Sequence, residues 1–110
     1  VDLSYKVNDS YAEITAAGRL NMVSAPKLRE MVAEVVAAGS SRIVINLGET
    51  AFMDSSGLGA LIGCLKAARQ AGGDLRIAAV QPQVQMVLGL TSMDKVLTSY
   101  PSAAEAFGDD

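Results

Sequence analysis

At 110 residues, half of them hydrophobic but only 5% aromatic, the chain suits one small domain whose core is built from Val, Ile, Leu, Met and Ala. A formal net charge of -3, with acidic residues spread along the sequence, supplies no basic stripe for phosphates and argues against direct nucleic-acid or membrane-surface binding. One cysteine makes no internal disulfide, no signal peptide is recognisable and the apolar runs fall far short of a membrane span, so the expected location is cytoplasmic. The expectation is a single domain over residues 1–110 with its core at about 3–107; a start at Val1 rather than Met leaves room for a trimmed terminus.

Leu3, Tyr5 and Val7 alternate with polar neighbours, Asn8-Asp9-Ser10 supplies turn chemistry, and Ala12, Ile14 and Ala16 alternate again, which predicts an opening hairpin. Gly18 is expected to end the second strand. A helix follows, with Ser24 as N-cap, Pro26 in the first turn and Leu28, Met31, Val32, Val35 and Val36 on one stripe. Lys27, Arg29, Glu30 and Glu34 form its solvated side, and Gly39 stops it.

Ile43, Val44, Ile45 and Leu47 read as a strand buried in a parallel sheet, broken by Gly48-Glu49-Thr50. From Leu58 the period changes: Leu58, Leu61, Ile62 and Leu65 predict a helix that runs to Gly72-Gly73. Asp54 to Gly57 is then a loop feeding a helix N-terminus at the carboxyl end of a strand, where open α/β sheets usually keep their function. Gly59, Ala60, Gly63 and Ala67 allow a neighbouring element, or a partner, to approach this helix closely. Cys64 reads as a small core residue.

Leu75 to Val80 predicts another short strand, and Gln81-Pro82 opens a helix carrying Val84, Val87 and Leu88 inward. Met86, Leu90 and Met93 fall outside that stripe. Val96 and Leu97 are expected to form a last brief strand, Ser102 and Glu105 have capping-box spacing on a terminal helix, and Gly108-Asp109-Asp110 reads as a frayed end. Strands alternating with helices after a hairpin predict an α/β fold with a mixed, mostly parallel sheet and right-handed crossovers. Ile43, Ile45 and Leu47 outweigh Arg42, Val44 and Asn46 in apolar character, so helices should pack mainly on one face.

Either Ser55 or Ser56 could simply cap the central helix. The longer run Ile45-Asn46-Leu47-Gly48-Glu49-Thr50-Ala51-Phe52-Met53-Asp54-Ser55-Ser56-Gly57-Leu58-Gly59, however, resembles the central signature of the anti-sigma factor antagonists, the STAS domain family. The resemblance covers essentially residues 3–107 and implies that family's fold, an opening hairpin followed by successive βα turns. It also implies that Ser55 is phosphorylated by a cognate anti-sigma factor that is a serine kinase. The unmodified protein would bind that kinase and release a sigma factor, modification would inactivate it, and a phosphatase would reset Ser55. The implied docking surface comprises the loop with Asn21, then Asp54, Ser55, Ser56 and Gly57, and the helix beginning at Leu58. Met86, Leu90 and Met93 would supply an adaptable apolar part. Asn21 stands where the family commonly has aspartate, which keeps an acceptor and removes a charge. That departure leaves open the alternative of an unphosphorylated STAS interaction module in a larger signalling or transporter-associated assembly.

Enzyme chemistry is poorly supplied. A nucleophile elbow needs Gly-x-Ser-x-Gly and a base, and the chain has no histidine. Lys66 and Arg69 lie at least two turns along the helix from Ser55, and the Gly-Lys-Ser/Thr of a phosphate-binding loop is absent. No cofactor or metal is expected; a helix N-terminus can still attract a nucleotide phosphate weakly. Asp54 orients the serine hydroxyl or caps the helix, and capping is the favoured role.

Overall fold

The computed structural model describes residues 2–108, and within them the N-terminal alternation forms β1 (Asp2–Val7) and β2 (Ala12–Leu20), paired antiparallel with Tyr5 opposite Ile14. Asn8 shapes the turn between them, its Oδ1 accepting from the N–H groups of Ser10 and Tyr11 at 2.8 and 2.9 Å. β2 then serves two neighbours. Ala12 to Thr15 pair in parallel with β3 (Arg42–Asn46), whereas Gly18 to Leu20 pair in parallel with β4 (Thr50–Met53).

Gly18 therefore does not end the strand, contrary to the sequence expectation. Its φ of 109° and the register shift between Gly18 and Arg19 form a bulge that bends β2 towards a second partner. Of Gly48-Glu49-Thr50, expected only to break the preceding strand, Thr50 instead begins β4, because that bent edge is available. The fully buried Thr50 hydroxyl donates to the Ala16 carbonyl across the junction. With β5 (Asp74–Ala78) and β6 (Ser99–Tyr100), the sheet order is β1-β2-β3-β5-β6, with β4 held on β2, and the pairs beyond the hairpin are parallel.

One face carries α1 (Ala25–Ala37), α2 (Ser55–Gln70) and α3 (Pro82–Leu90). Leu28, Val32 and Val35, Leu61 and Leu65, and Val84 and Leu88 meet Ile14, Ile43, Ile45 and Ile77 in the main core, as the unequal strand faces require. The second face is covered only where Val44 and Ala78 break the polar alternation. There α4 (Ala103–Ala106) lays Ala103, Ala106 and Phe107 on them. The Phe107 ring stacks on Tyr11 at 5.9 Å, with the Arg42 and Arg76 guanidinium carbons 4.8 and 4.3 Å from its centre.

Local readings at several ends needed the neighbours to decide them. Leu97 is fully buried after a 3-10 turn at Met93–Lys95, so the last strand falls at Ser99–Tyr100 rather than Val96-Leu97. β5 stops at Ala78, before Ala79 turns to a φ of 58°. Ser102 Oγ lies 3.4 Å from Glu105 Oε1 but makes no cap bond to the backbone, so the expected capping box is incomplete. Asp109 and Asp110, expected to fray, lie outside the described residues.

Phe107→Ala removes the ring that ties α4 to both arginines and should cost about 3 kcal/mol, within the range for a buried aromatic. Urea unfolding should show a lower midpoint, with the residual structure of the main core retained below it.

Candidate functional site

The carboxyl ends of β2 and β4 are neighbours, since Leu20 pairs with Met53, and their next residues are Asn21 and Asp54. Both use a side-chain oxygen to accept backbone N–H groups where the chain turns towards a helix. Asp54, in extended conformation, accepts from the Gly57 N–H through Oδ1 at 3.0 Å, while its own N–H donates to the Leu20 carbonyl at 3.2 Å. It is the N-cap of α2, as favoured from sequence, and neither serine has that role. Ser55 and Ser56 instead occupy the first two helical positions, Ser55 exposed and Ser56 half-buried.

Asn21 Oδ1 accepts from the N–H groups of Val23 and Ser24 at 3.0 and 3.2 Å and shapes the turn that leads into α1; Ser24 holds the N-cap position, as expected, but makes no side-chain cap bond. Ser24 is buried and faces backwards: its Oγ donates to the Arg19 carbonyl at 2.8 Å and accepts from the Asn21 N–H at 2.9 Å. A neutral amide suffices for this turn, because what the turn needs is an acceptor. It lifts Met22 and Val23 into solvent, 73% and 70% exposed. An apolar pair between two turn-forming residues was the available sequence signal for them.

Gly57 is buried, and the expected loop of Asp54 to Gly57 is already helix from Ser55 onward. A Cβ on Gly57 would overlap the carbonyl of Leu20, so the glycine allows α2 to rest directly on the end of β2. From the other side Gln83 of α3 grips Met53 as a strand neighbour would, accepting from its N–H at 2.8 Å and donating to its carbonyl at 3.1 Å. The Ser55 hydroxyl thus sits on a platform held by β2 and α3.

Ser55 and Ser56 share a groove of about 330 Å3 with Met22, Ala25, Pro26, Arg29 and Gly59, between the β2–α1 turn, α1 and α2. Asn21 precedes Met22 on its rim, and Asp54 precedes Ser55. The other residues expected on this surface are placed elsewhere. Leu58 is 8% exposed and belongs to the core, and Met93 packs against the core as well. Met86 and Leu90 are exposed on α3 but do not line the groove. Arg29, read from sequence as part of a solvated helix face, does line it: the crossing of α1 over α2 brings it there, and its own periodicity carries no sign of this.

Cys64 is buried in α2, and desolvation pushes its thiol up to about 11, against the lowering influence of the Arg29 charge. Among the described residues no three His, Cys, Asp or Glu side chains come together as metal ligands, and no helix is long and apolar enough to cross a membrane.

A family model described as the STAS domain matches residues 2–106. The chain is similar to the anti-sigma-B factor antagonist of Staphylococcus aureus, 27% identical over 97 residues that span 88% of this chain and 90% of the relative. The crystal structure of an anti-sigma factor antagonist from Mycobacterium paratuberculosis superposes with a TM-score of 0.85 at 26% identity, covering 97% of this chain and 91% of the other. The phosphorylated form of the Bacillus cell fate determinant SpoIIAA shares the fold, with a TM-score of 0.73 at 19% identity and 97% of each chain covered.

Gly57→Ala should destabilise the protein by about 1–3 kcal/mol, since backbone rather than a flexible side chain must move; a helix propensity gain alone would stabilise it, so the sign of the urea midpoint shift decides. Native Cys64 should resist iodoacetamide at pH 8 and react once urea exposes it. Because the folded thiol holds its proton to about 11 and the unfolded one to about 9, stability should fall as pH rises across that window.

Proposed function

Because the chain belongs to the STAS domain family, we propose that it acts as an anti-sigma factor antagonist, a cytoplasmic interaction domain switched by phosphorylation of Ser55. The observation that carries this reading is the exposed Ser55 hydroxyl at the first position of an anchored helix, beside a groove rimmed by exposed Met22. The names of the similar relatives support it.

In this reading the unmodified groove face docks on an anti-sigma factor that is also a serine kinase, and the sigma factor is released. Ser55 Oγ attacks the γ-phosphorus of ATP held by the kinase; the new O–P bond replaces the bond to the β–γ bridging oxygen, ADP leaves, and the hydroxyl proton passes to a base of the kinase. The protein's part is presentation. Asp54 is committed to the Gly57 N–H, and the surroundings of Ser55 supply no base of their own. A phosphatase from outside returns the hydroxyl.

The phosphate adds roughly -1.5 to -2 charges. At the α2 N-terminus the helix dipole offsets about 0.3–1 kcal/mol of that, so the fold tolerates it. Across a docked surface the same charge meets Asp54 and loses water, which can cost about 2–5 kcal/mol and reduce affinity by well over tenfold. Exclusion needs no rearrangement of a platform held by Leu20 and Gln83.

Incubation with ATP and each anti-sigma kinase of the source genome, followed by mass spectrometry, should place one phosphate on Ser55 and none on Ser56. Ser55→Ala should keep binding and lose modification, and Ser55→Asp should bind at least tenfold more weakly. Equal binding by Ser55→Asp and wild type would sink charge exclusion, and capture of a partner without any modification would leave the constitutive interaction module.

A further inference from the structure

Arg29 projects from α1 across α2 and lies over two glycines. Its Nε is 3.7 Å from the position a Cβ would take on Gly63, and its Nη2 is 4.0 Å from the corresponding position on Gly59. Ser55, Gly59 and Gly63 follow one another at intervals of four, so they lie on one face of α2, with successive Cβ positions about 5–6 Å apart. The arginine side chain therefore runs along that face towards the helix N-terminus, and its terminal nitrogen stops one turn short of Ser55. A methyl at 59 or 63 would make ordinary contact with the arginine, and with glycine there the strip beneath the guanidinium is bare of side chains. Both Arg29 and Ser55 line the same groove, and Arg29 is the charged side chain among the described residues that line it. Among the described residues Arg29 has no carboxylate partner.

We propose that Arg29 is the internal receiver of the phosphate on modified Ser55: the guanidinium lying over Gly59 pairs with the phosphoryl oxygens across the one turn between them, closing the groove between α1 and α2. The inference deepens the reading of Ser55 as the modified residue and rests on it. A seryl phosphate carries its oxygens three bonds beyond Cβ, which spans the remaining turn. Guanidinium and phosphate match as a planar fork and a set of strong acceptors, so the pair forms charge-assisted, bidentate hydrogen bonds that an ammonium would not reproduce. The consequence for switching is specific. Phosphorylation would occupy the groove from within as well as add charge to its rim, and Arg29 would change from a feature available to a partner into one consumed by the modification. Asp54, adjacent to Ser55, opposes ionisation of the phosphate, and the helix N-terminus favours it; both are unchanged when Arg29 is replaced.

The test installs phosphoserine at position 55 during translation, so it does not depend on any kinase. Phosphorus NMR then follows the second ionisation of the phosphate from pH 4.5 to 8 in wild type, Arg29→Gln and Arg29→Lys, with the urea midpoints of the unmodified proteins compared to establish that each is folded. The second ionisation, near pH 6 for a free phosphoserine, should lie lower in wild type than in Arg29→Gln by roughly half a pH unit, with Arg29→Lys between them. In 1 M NaCl the wild-type value should move towards that of Arg29→Gln. Identical titrations in wild type and Arg29→Gln would overturn the assignment even if a kinase modifies Ser55. A lowered wild-type value with no kinase able to modify Ser55 would instead uphold the geometry and refute the proposed function.

Discussion

The close approach of Gly57 to the Leu20 carbonyl is the constraint around which the functional end of the molecule is arranged. Because no side chain separates them, the first turn of α2 rests on the end of β2, and the Leu20 carbonyl can accept from Asp54 just before that turn. Asp54 then has its carboxylate facing the Gly57 N–H and caps the helix. Ser55 emerges in solvent from a position whose backbone is determined on every side. A larger residue at 57 would push α2 away and take the hydroxyl with it.

That seat is the reason exclusion, and not remodelling of the platform, is the mechanism proposed for the switch. The Gln83 clamp on Met53 fixes β4 from the side of α3, and the bulge at Gly18 fixes it from the side of β2. A charge added at Ser55 acts on a surface that has little freedom to retreat. The adaptable part is the groove wall, where exposed Met22 sits on a turn and Arg29 lies over glycine. Rigid presentation and a compliant wall are the properties that the switch proposed at Ser55 calls for.

The two faces of the sheet divide the remaining work. The main core accepts three helices because Ile43, Ile45 and Ile77 are presented together on one side, while Val44 and Ala78 leave an apolar strip on the other that Phe107 and two arginines close. The carboxyl ends of β2 and β4 stay clear of that second layer. They are thereby left free for the site.

From local chemistry alone the sequence determined the α/β alternation, the hairpin, the three large helices, the inward stripes and the Asp54 cap, because each depends on periodicity or on a hydrogen bond between residues three or four apart. The resemblance carried by residues 45–59 singled out Ser55. Tertiary structure decided what depends on residues distant in the chain: β4 exists because a bulged β2 offers it an edge, Ser24 stands at the N-cap of α1 with its hydroxyl turned to the Arg19 carbonyl instead of the first helical turn, and Leu58 is withdrawn from the surface by core packing. Arg29 belongs to this second class. Nothing in the helix that carries it distinguishes it from Lys27 or Glu30, and the crossing of two helices places its charge in the groove that Ser55 lines.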